Sequence, residues 1–298
     1  MPTTTRLASQ SRTANPIALW HLLSLDAPTV AALWTWFIAR ACYIRLPFAA
    51  PAAMGLAVWM LYAADRLLDA RLLDGDEEDK DAEWRPQPGE LEARHLFHHR
   101  HRRPFLAAIA VAALALAALV SSLDPVAMRL YLIEGVLLAA WFVVLHATRS
   151  AHRLPKEIAV GLFFSAATFI PTVARDPGLR PMLLPCAVLF AALCSLNCLF
   201  IYAWEHDGLR HRSTRPAHAT TRIALANLPA LAAAVAFADA AIAVFEPYSA
   251  KLVGIACGLA AGLLLLLNRN RPQLSRTNLR AAADLALLTP ALLVPFLR

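Results

Sequence analysis

The chain has 298 residues, of which 59% are hydrophobic and 16% charged, with a mean hydropathy of +0.52. Those values exclude an ordinary soluble domain and define an integral membrane protein. The net charge of +7 does not imply a nucleic-acid partner, because the basic residues are spread over alternate loops and form no arm or recognition helix.

The first 28 residues are polar and mixed, and they read as a cytoplasmic tail ahead of a single membrane domain at 29–298. They contain no apolar core followed by a small-residue cleavage site, so the first span is expected to target the chain itself. Apolar residues then gather into blocks of about 17 to 24, each long enough as a helix to cross a hydrocarbon core of ~30 Å. The blocks predict nine transmembrane helices, at roughly 29–46, 48–68, 104–122, 126–146, 157–174, 181–204, 222–244, 249–268 and 279–297. The fold class is therefore all-α, a polytopic bundle with a central cavity open to the cytoplasm. Cys42, Cys186, Cys194, Cys198 and Cys257 lie inside apolar segments without metal-ligand spacing and read as packing residues.

With nine spans, twenty lysines and arginines fall on one side of the membrane and seven on the other. Positive residues favour the cytoplasm, which puts the N-terminus inside the cell membrane and the C-terminus on the opposite side. All ten histidines and the acidic clusters then lie on or near the cytoplasmic face, while the far-side loops `SSLDP` and `RDPGLRP` are short. Any chemistry is expected at the cytoplasmic end.

Three constellations could carry it. In `DRLLDARLLD`, Asp65 and Asp69 are four apart and share a helix face. Two such carboxylates repel each other unless a positive partner intervenes, and Mg²⁺, commonly held by one or two carboxylates plus substrate phosphates, is an economical one. The bland alternative is a helix ending at the headgroups, with Asp65 and Asp69 paired to Arg66 and Arg71. The second constellation is `SLNCLFIYAWEHDGLRH`, where Asn197, Ile201 and Glu205 follow at i+4 steps, Tyr202 adds a phenol, and Asp207 and Arg210 come just beyond. A polar group at the depth of Asn197 is costly in lipid and usually faces a cavity. The third is the basic turn `HATRSAHRLPKE`, whose His146, Arg149, Arg153 and Lys156 suit an anionic phosphate ligand, although the positive-inside bias alone would also place charge there.

At this point `LYAADRLLD` resembles the first aspartate-rich motif of the UbiA-type intramembrane prenyltransferases, Asn-Asp-x-x-Asp-x-x-x-Asp. Asp65 and Asp69 match its last two aspartates, and Arg66 stands where that family often has Arg, whereas Leu61 and Tyr62 replace its Asn and Asp. The second motif, Asp-x-x-x-Asp in the family, is reduced to Glu205 and Asp207. The nine spans, the basic turn before `LPKEIAVGLFF`, the acidic end of span six and the terminal `RAAADLALLTP` agree in order and spacing, so the resemblance covers nearly the whole chain. It implies Mg²⁺-dependent transfer of an isoprenyl group from a prenyl diphosphate to a lipophilic, often aromatic, acceptor. Asp65, Asp69, Glu205 and Asp207 would hold the metal, and Arg66, Arg149, Lys156, Arg210, Asn197 and Tyr202 would contact substrate. Two alternatives stand beside it. The missing Asn and Asp fit a non-catalytic bundle of the same fold that binds an isoprenoid, a lipid or a partner protein. The run `RHLFHHRH`, with His95, His98 and His99, together with His206 and His211, is similar to part of the histidine boxes of membrane di-iron oxidases, and neutral imidazoles suit iron. No third box exists, and Arg94, Arg100, Arg102 and Arg103 crowd the first, so a basic segment at lipid headgroups is the simpler account. The acidic run from Asp74 to Glu83, within the loop at 70–103, has no ligand spacing beyond Asp74 and reads as solvated.

Overall fold

The computed structural model describes residues 20, 22–71, 97, 100–147, 155–206, 218–246, 248–274 and 276–297; for 69–71, 145–147, 205–206 and 276–277 it describes the backbone alone. Every regular element among the described residues is helical. In chain order these are α1 (Asp26–Ala41), α2 (Ala49–Arg71), α3 (Arg102–Val120), α4 (Pro125–Ala147), α5 (Lys156–Arg175), α6 (Arg180–His206), α7 (Ala219–Ala226), α8 (Leu228–Phe245), α9 (Tyr248–Asn270), α10 (Arg276–Ala286) and α11 (Pro290–Leu293).

Among the described residues seven stretches are long and apolar enough to cross a membrane: α3, α4 to Val144, α5, 177–204, α8, 248–273 and 278–296. The two N-terminal helices fall outside that set for different reasons. The 16 residues of α1 rise only about 24 Å. The 23 residues of α2 are enough, but the helix closes on Asp65, Arg66, Asp69 and Arg71. Yet α1 is the best-buried element, with Val30, Trp34, Phe37 and Ile38 inside the core. It packs against α2, α5, α9 and α10, and its Trp34 ring lies 4.3 Å from that of Phe190 on α6. A helix so enclosed does not need a lipid-matched length of its own, because its neighbours cover it.

Two blocks that the sequence reads as single spans are broken, each beside a proline. The 222–244 block is α7 and α8, separated at Asn227 two residues before Pro229. The Asn227 amide donates to the Ile223 carbonyl at 2.9 Å. The 279–297 block stops at Ala286 and resumes at Pro290, since a proline disfavours helical backbone in the residue before it and cannot donate a hydrogen bond. Neighbours satisfy the break: Trp34 Nε1 donates to the Leu287 carbonyl at 2.7 Å and Thr289 Oγ1 to the Ala256 carbonyl at 2.7 Å. Within a bilayer only such protein partners can replace water.

Small residues set the close contacts. A Cβ on Gly161 would meet Ser195 Oγ at 2.1 Å and the Ala191 carbonyl at 2.4 Å, so α5 and α6 touch backbone to backbone there. Ser165 Oγ, one turn along, donates to the Ala187 carbonyl at 2.7 Å. Membrane helices lack a hydrophobic drive to associate, and close approach of this kind supplies the dispersion contacts instead. Gly254 plays the same part between α9 and α8, where a Cβ would sit 2.8 Å from the Asp239 carbonyl.

The ends of the bundle are marked by polar ties. Arg175 Nε and Asp124 Oδ2 lie 3.4 Å apart, joining the end of α5 to the turn between α3 and α4. At the start of α5, Thr221 Oγ1 of α7 donates to Glu157 Oε2 at 3.3 Å. Substantial packing pairs α3 with α2 and α4 with α5, while α3 and α4, although consecutive, share no comparable interface.

Candidate functional site

A cavity of about 640 Å³ opens among α1, α2, α3, α4, α5, α6 and α10. Its wall on α2 follows one helical stripe: Met54, Val58, Leu61, Tyr62, Asp65 and Arg66 recur at spacings of three and four. The stripe turns from apolar to charged as α2 nears its end. Lys156 and Glu157 from the first turn of α5 meet it, with Asn197, Cys198, Ile201 and Tyr202 from the last turns of α6. Asp26 from the start of α1 and Arg280 with Asp284 from α10 complete the polar end. Arg280 and Asp284 are four apart, which puts both on one face.

The closeness of α5 and α6 at Gly161 is what brings Lys156 and Glu157 beside Asn197, four to five residues along one helix and two along the other from Ser195. Asn197 is buried and its Nδ2 donates to Asp284 Oδ1 at 3.2 Å. Its other polar atom, Oδ1, is buried without a hydrogen-bond partner. Glu157 and Asp26 are also buried, and Asp26 Oδ1 accepts from the Ala27 N–H at 3.0 Å. Asp65 and Lys156 are exposed. Counting the described residues that line the whole cavity, five carboxylates (Asp26, Asp65, Glu134, Glu157, Asp284) accompany three cations (Arg66, Lys156, Arg280).

Of the residues singled out in the sequence, Asp65, Arg66, Lys156, Asn197 and Tyr202 all line this one cavity, as do Leu61 and Tyr62. Asp69 lies one turn beyond Asp65 on α2, and Glu205 two turns beyond Asn197 on α6, with their side chains outside the described residues. Arg149, Asp207 and Arg210 lie outside the described residues, as do His95, His98, His99 and His211. The sequence reading misses Asp26, Glu134, Glu157, Arg280 and Asp284. Asp26 falls in the expected tail, three positions before the expected membrane domain, although it opens α1. Glu134 carries the clearest unused signal, an acid inside the apolar run `RLYLIEGVLL`, because an ionisable residue at membrane depth usually faces a cavity.

Among the described residues no group of three or more His, Cys, Asp or Glu side chains could hold a metal ion. That is not the arrangement Mg²⁺ requires. It is commonly bound through one or two carboxylates with the remaining positions taken by water and substrate phosphate. The donors present are mainly hard oxygens, and the orphaned Asn197 Oδ1 is one of them. Among the lining carboxylates Asp65 is exposed and Glu157 and Asp26 are buried.

The described residues thus define an all-helical, multi-pass membrane protein with a cavity whose charged groups gather mainly at one end. The chain matches no protein-family model, no curated protein and no solved structure.

Proposed function

We propose that the protein is a UbiA-type prenyltransferase, an enzyme of the cell membrane that moves an isoprenyl group from a prenyl diphosphate to an aromatic or lipid acceptor.

The observation that carries this reading is the cavity itself, in which Asp65, Arg66, Lys156 and Asn197 gather at one end and apolar faces of α2, α4 and α5 run on from them. A prenyl diphosphate has the same division, an anionic head and a long apolar tail. Nine crossings, with α1 and α2 included, an N-terminus in the cytoplasm and a C-terminus on the opposite side belong to the proposal. So does a charged end that faces the cytoplasm, the side to which the excess of lysine and arginine points.

In this reading Asp65 and Asp69, with Glu205 and Asp207, hold Mg²⁺, and Asn197 Oδ1 is a further oxygen available to it. Bound there, the metal supplies neutralisation of charge on the departing diphosphate. Lys156 and Arg66, with Arg149 and Arg210, bind the diphosphate oxygens and stabilise the same developing charge from the protein side. The apolar wall, including Met54, Val58, Phe163 and Phe164, orients the tail and keeps water from the allylic carbon. Tyr202 borders the charged end, where the acceptor must approach.

A second reading is a bundle of the same fold that binds an isoprenoid or lipid without turnover. Leu61 and Tyr62 favour it, because both line the cavity in place of an amide and a carboxylate that could serve a metal. Release of diphosphate by the purified protein separates the two readings. Across several prenyl lengths and acceptors, Mg²⁺-dependent release that is lost in Asp65→Ala supports transfer. Mg²⁺-dependent binding of the same compounds with no release at any length supports the binding-only bundle.

A further inference from the structure

The far part of the cavity is not uniformly apolar, and the cause begins with a proline. Pro171 lies inside α5 and has no N–H, so the carbonyl four residues earlier, that of Ala167, loses its intrahelical donor. Ala167 lines the cavity. Tyr131 of α4 supplies the missing bond, its hydroxyl donating to the Ala167 carbonyl at 3.2 Å. Glu134, three residues on and therefore on the same face of α4, also lines the cavity. Its Oε1 is buried without a hydrogen-bond partner.

These groups stand well away from the charged end. Ala167 follows Lys156 by eleven residues of continuous helix, a rise of about 16 Å. Val160, Phe163 and Phe164 line the interval on α5, and Leu138 and Phe142 continue the apolar wall on α4. An orphaned carboxyl oxygen at such depth is expensive in lipid unless a ligand or another residue satisfies it.

We infer that Glu134, Tyr131 and the Ala167 carbonyl form a second polar subsite, which binds the hydroxyl group of a lipophilic molecule whose chain lies along the apolar wall. A hydroxyl suits the set because it donates and accepts at once. The ligand hydroxyl donates to Glu134 Oε1, and its oxygen can share the Tyr131 proton that the Ala167 carbonyl accepts. A phosphate group would set further negative charge beside the Glu134 carboxyl in a place where desolvation is severe. The subsite stands apart from the charged end and does not depend on whether prenyl transfer occurs there.

The test uses the purified full-length protein, without Mg²⁺ or prenyl diphosphate, and a twelve-carbon alcohol bearing a photoreactive diazirine beside its hydroxyl. Illumination followed by peptide mass spectrometry should place the label on 131–138 and 163–167. 1-Dodecanol should compete for it and dodecane should not. Glu134→Leu should reduce specific labelling about tenfold, the loss expected for one buried hydrogen bond. Tyr131→Phe should reduce it less, and Glu134→Gln, which retains an acceptor and a donor, should keep most of it. Thermal unfolding of each variant in the same detergent checks that the bundle is intact, and Glu134→Gln against Tyr131→Phe decides the matter if Glu134→Leu does not fold. Label concentrated near Asp65 and Asn197, equal competition by dodecane, no competable label, or unchanged labelling across the Glu134 and Tyr131 variants would overturn the inference. A protein without diphosphate turnover that still labels at Glu134 would refute the proposed reaction and leave this subsite standing.

Discussion

Asp65 lines the cavity at the exposed end of α2, whereas Asp79 belongs to the acidic run 74–83 that the sequence reads as solvated. The two residues share a chemical type and differ in what they should do. Asp65→Ala should lower Mg²⁺-dependent prenyl diphosphate turnover by about a hundredfold or more, because in the proposed reaction its carboxylate would help hold the Mg²⁺ that neutralises charge formed in the transition state. Its unfolding temperature should hardly move, because a substitution at an exposed site changes stability by about 0.5 kcal/mol or less. Asp79→Ala should alter neither, as diphosphate release and thermal unfolding measured side by side would report. Tyr62→Asp should strengthen Mg²⁺ binding, measured by calorimetry, because it adds a carboxylate one turn from Asp65 on the cavity wall. These residues could be picked out from sequence because charge at the end of an apolar run is conspicuous. Glu157 could not, since the sequence offers it only as one more charge in a basic turn, and its role as the Thr221 partner needs α7 to be beside α5.

At the scale of helices, Gly161 is the contact that sets α5 against α6. Gly161→Ala would drive a methyl group into the Ala191 carbonyl and Ser195, at a cost of about 1–3 kcal/mol. Gly262→Ala, with nothing within 4 Å of the added carbon, should be neutral or slightly stabilising, and thermal unfolding of both in one detergent checks the contrast. Trp34→Phe should cost about 1–3 kcal/mol for a different reason, because it leaves the buried Leu287 carbonyl without its donor. Hydrophobic blocks of spanning length made most helices legible in the sequence. Their breaks were less so: Pro229 and Pro290 mark positions where a helix can stop, but whether it stops depends on partners such as Trp34, more than 250 residues from Leu287. Pro171 makes the point from the other side, for α5 runs through it while Tyr131 takes up the freed carbonyl.

For the whole molecule, the order of helices brings Asp26, Asp65, Lys156, Asn197 and Asp284 to one end of one cavity although they are scattered over most of the chain. The alternation of basic loops gives the sequence its only view of this arrangement. It says which helix ends share a side and not which helices touch. Asp284 was therefore invisible as a neighbour of Asn197, and Asp26 as part of the same cavity wall. A reporter domain fused after Arg85 or Arg212 should face the cytoplasm and one fused after Arg298 the other side; a cytoplasmic C-terminus would contradict nine crossings. The central claim is that the charged end of the cavity holds a diphosphate together with Mg²⁺. Its most direct measurement is the affinity of the purified protein for a non-hydrolysable prenyl diphosphate, with and without Mg²⁺. Binding should tighten at least tenfold with Mg²⁺ and lose that dependence in Asp65→Ala, whereas equal affinity with and without the metal, or a Mg²⁺ effect that survives Asp65→Ala, would contradict the account.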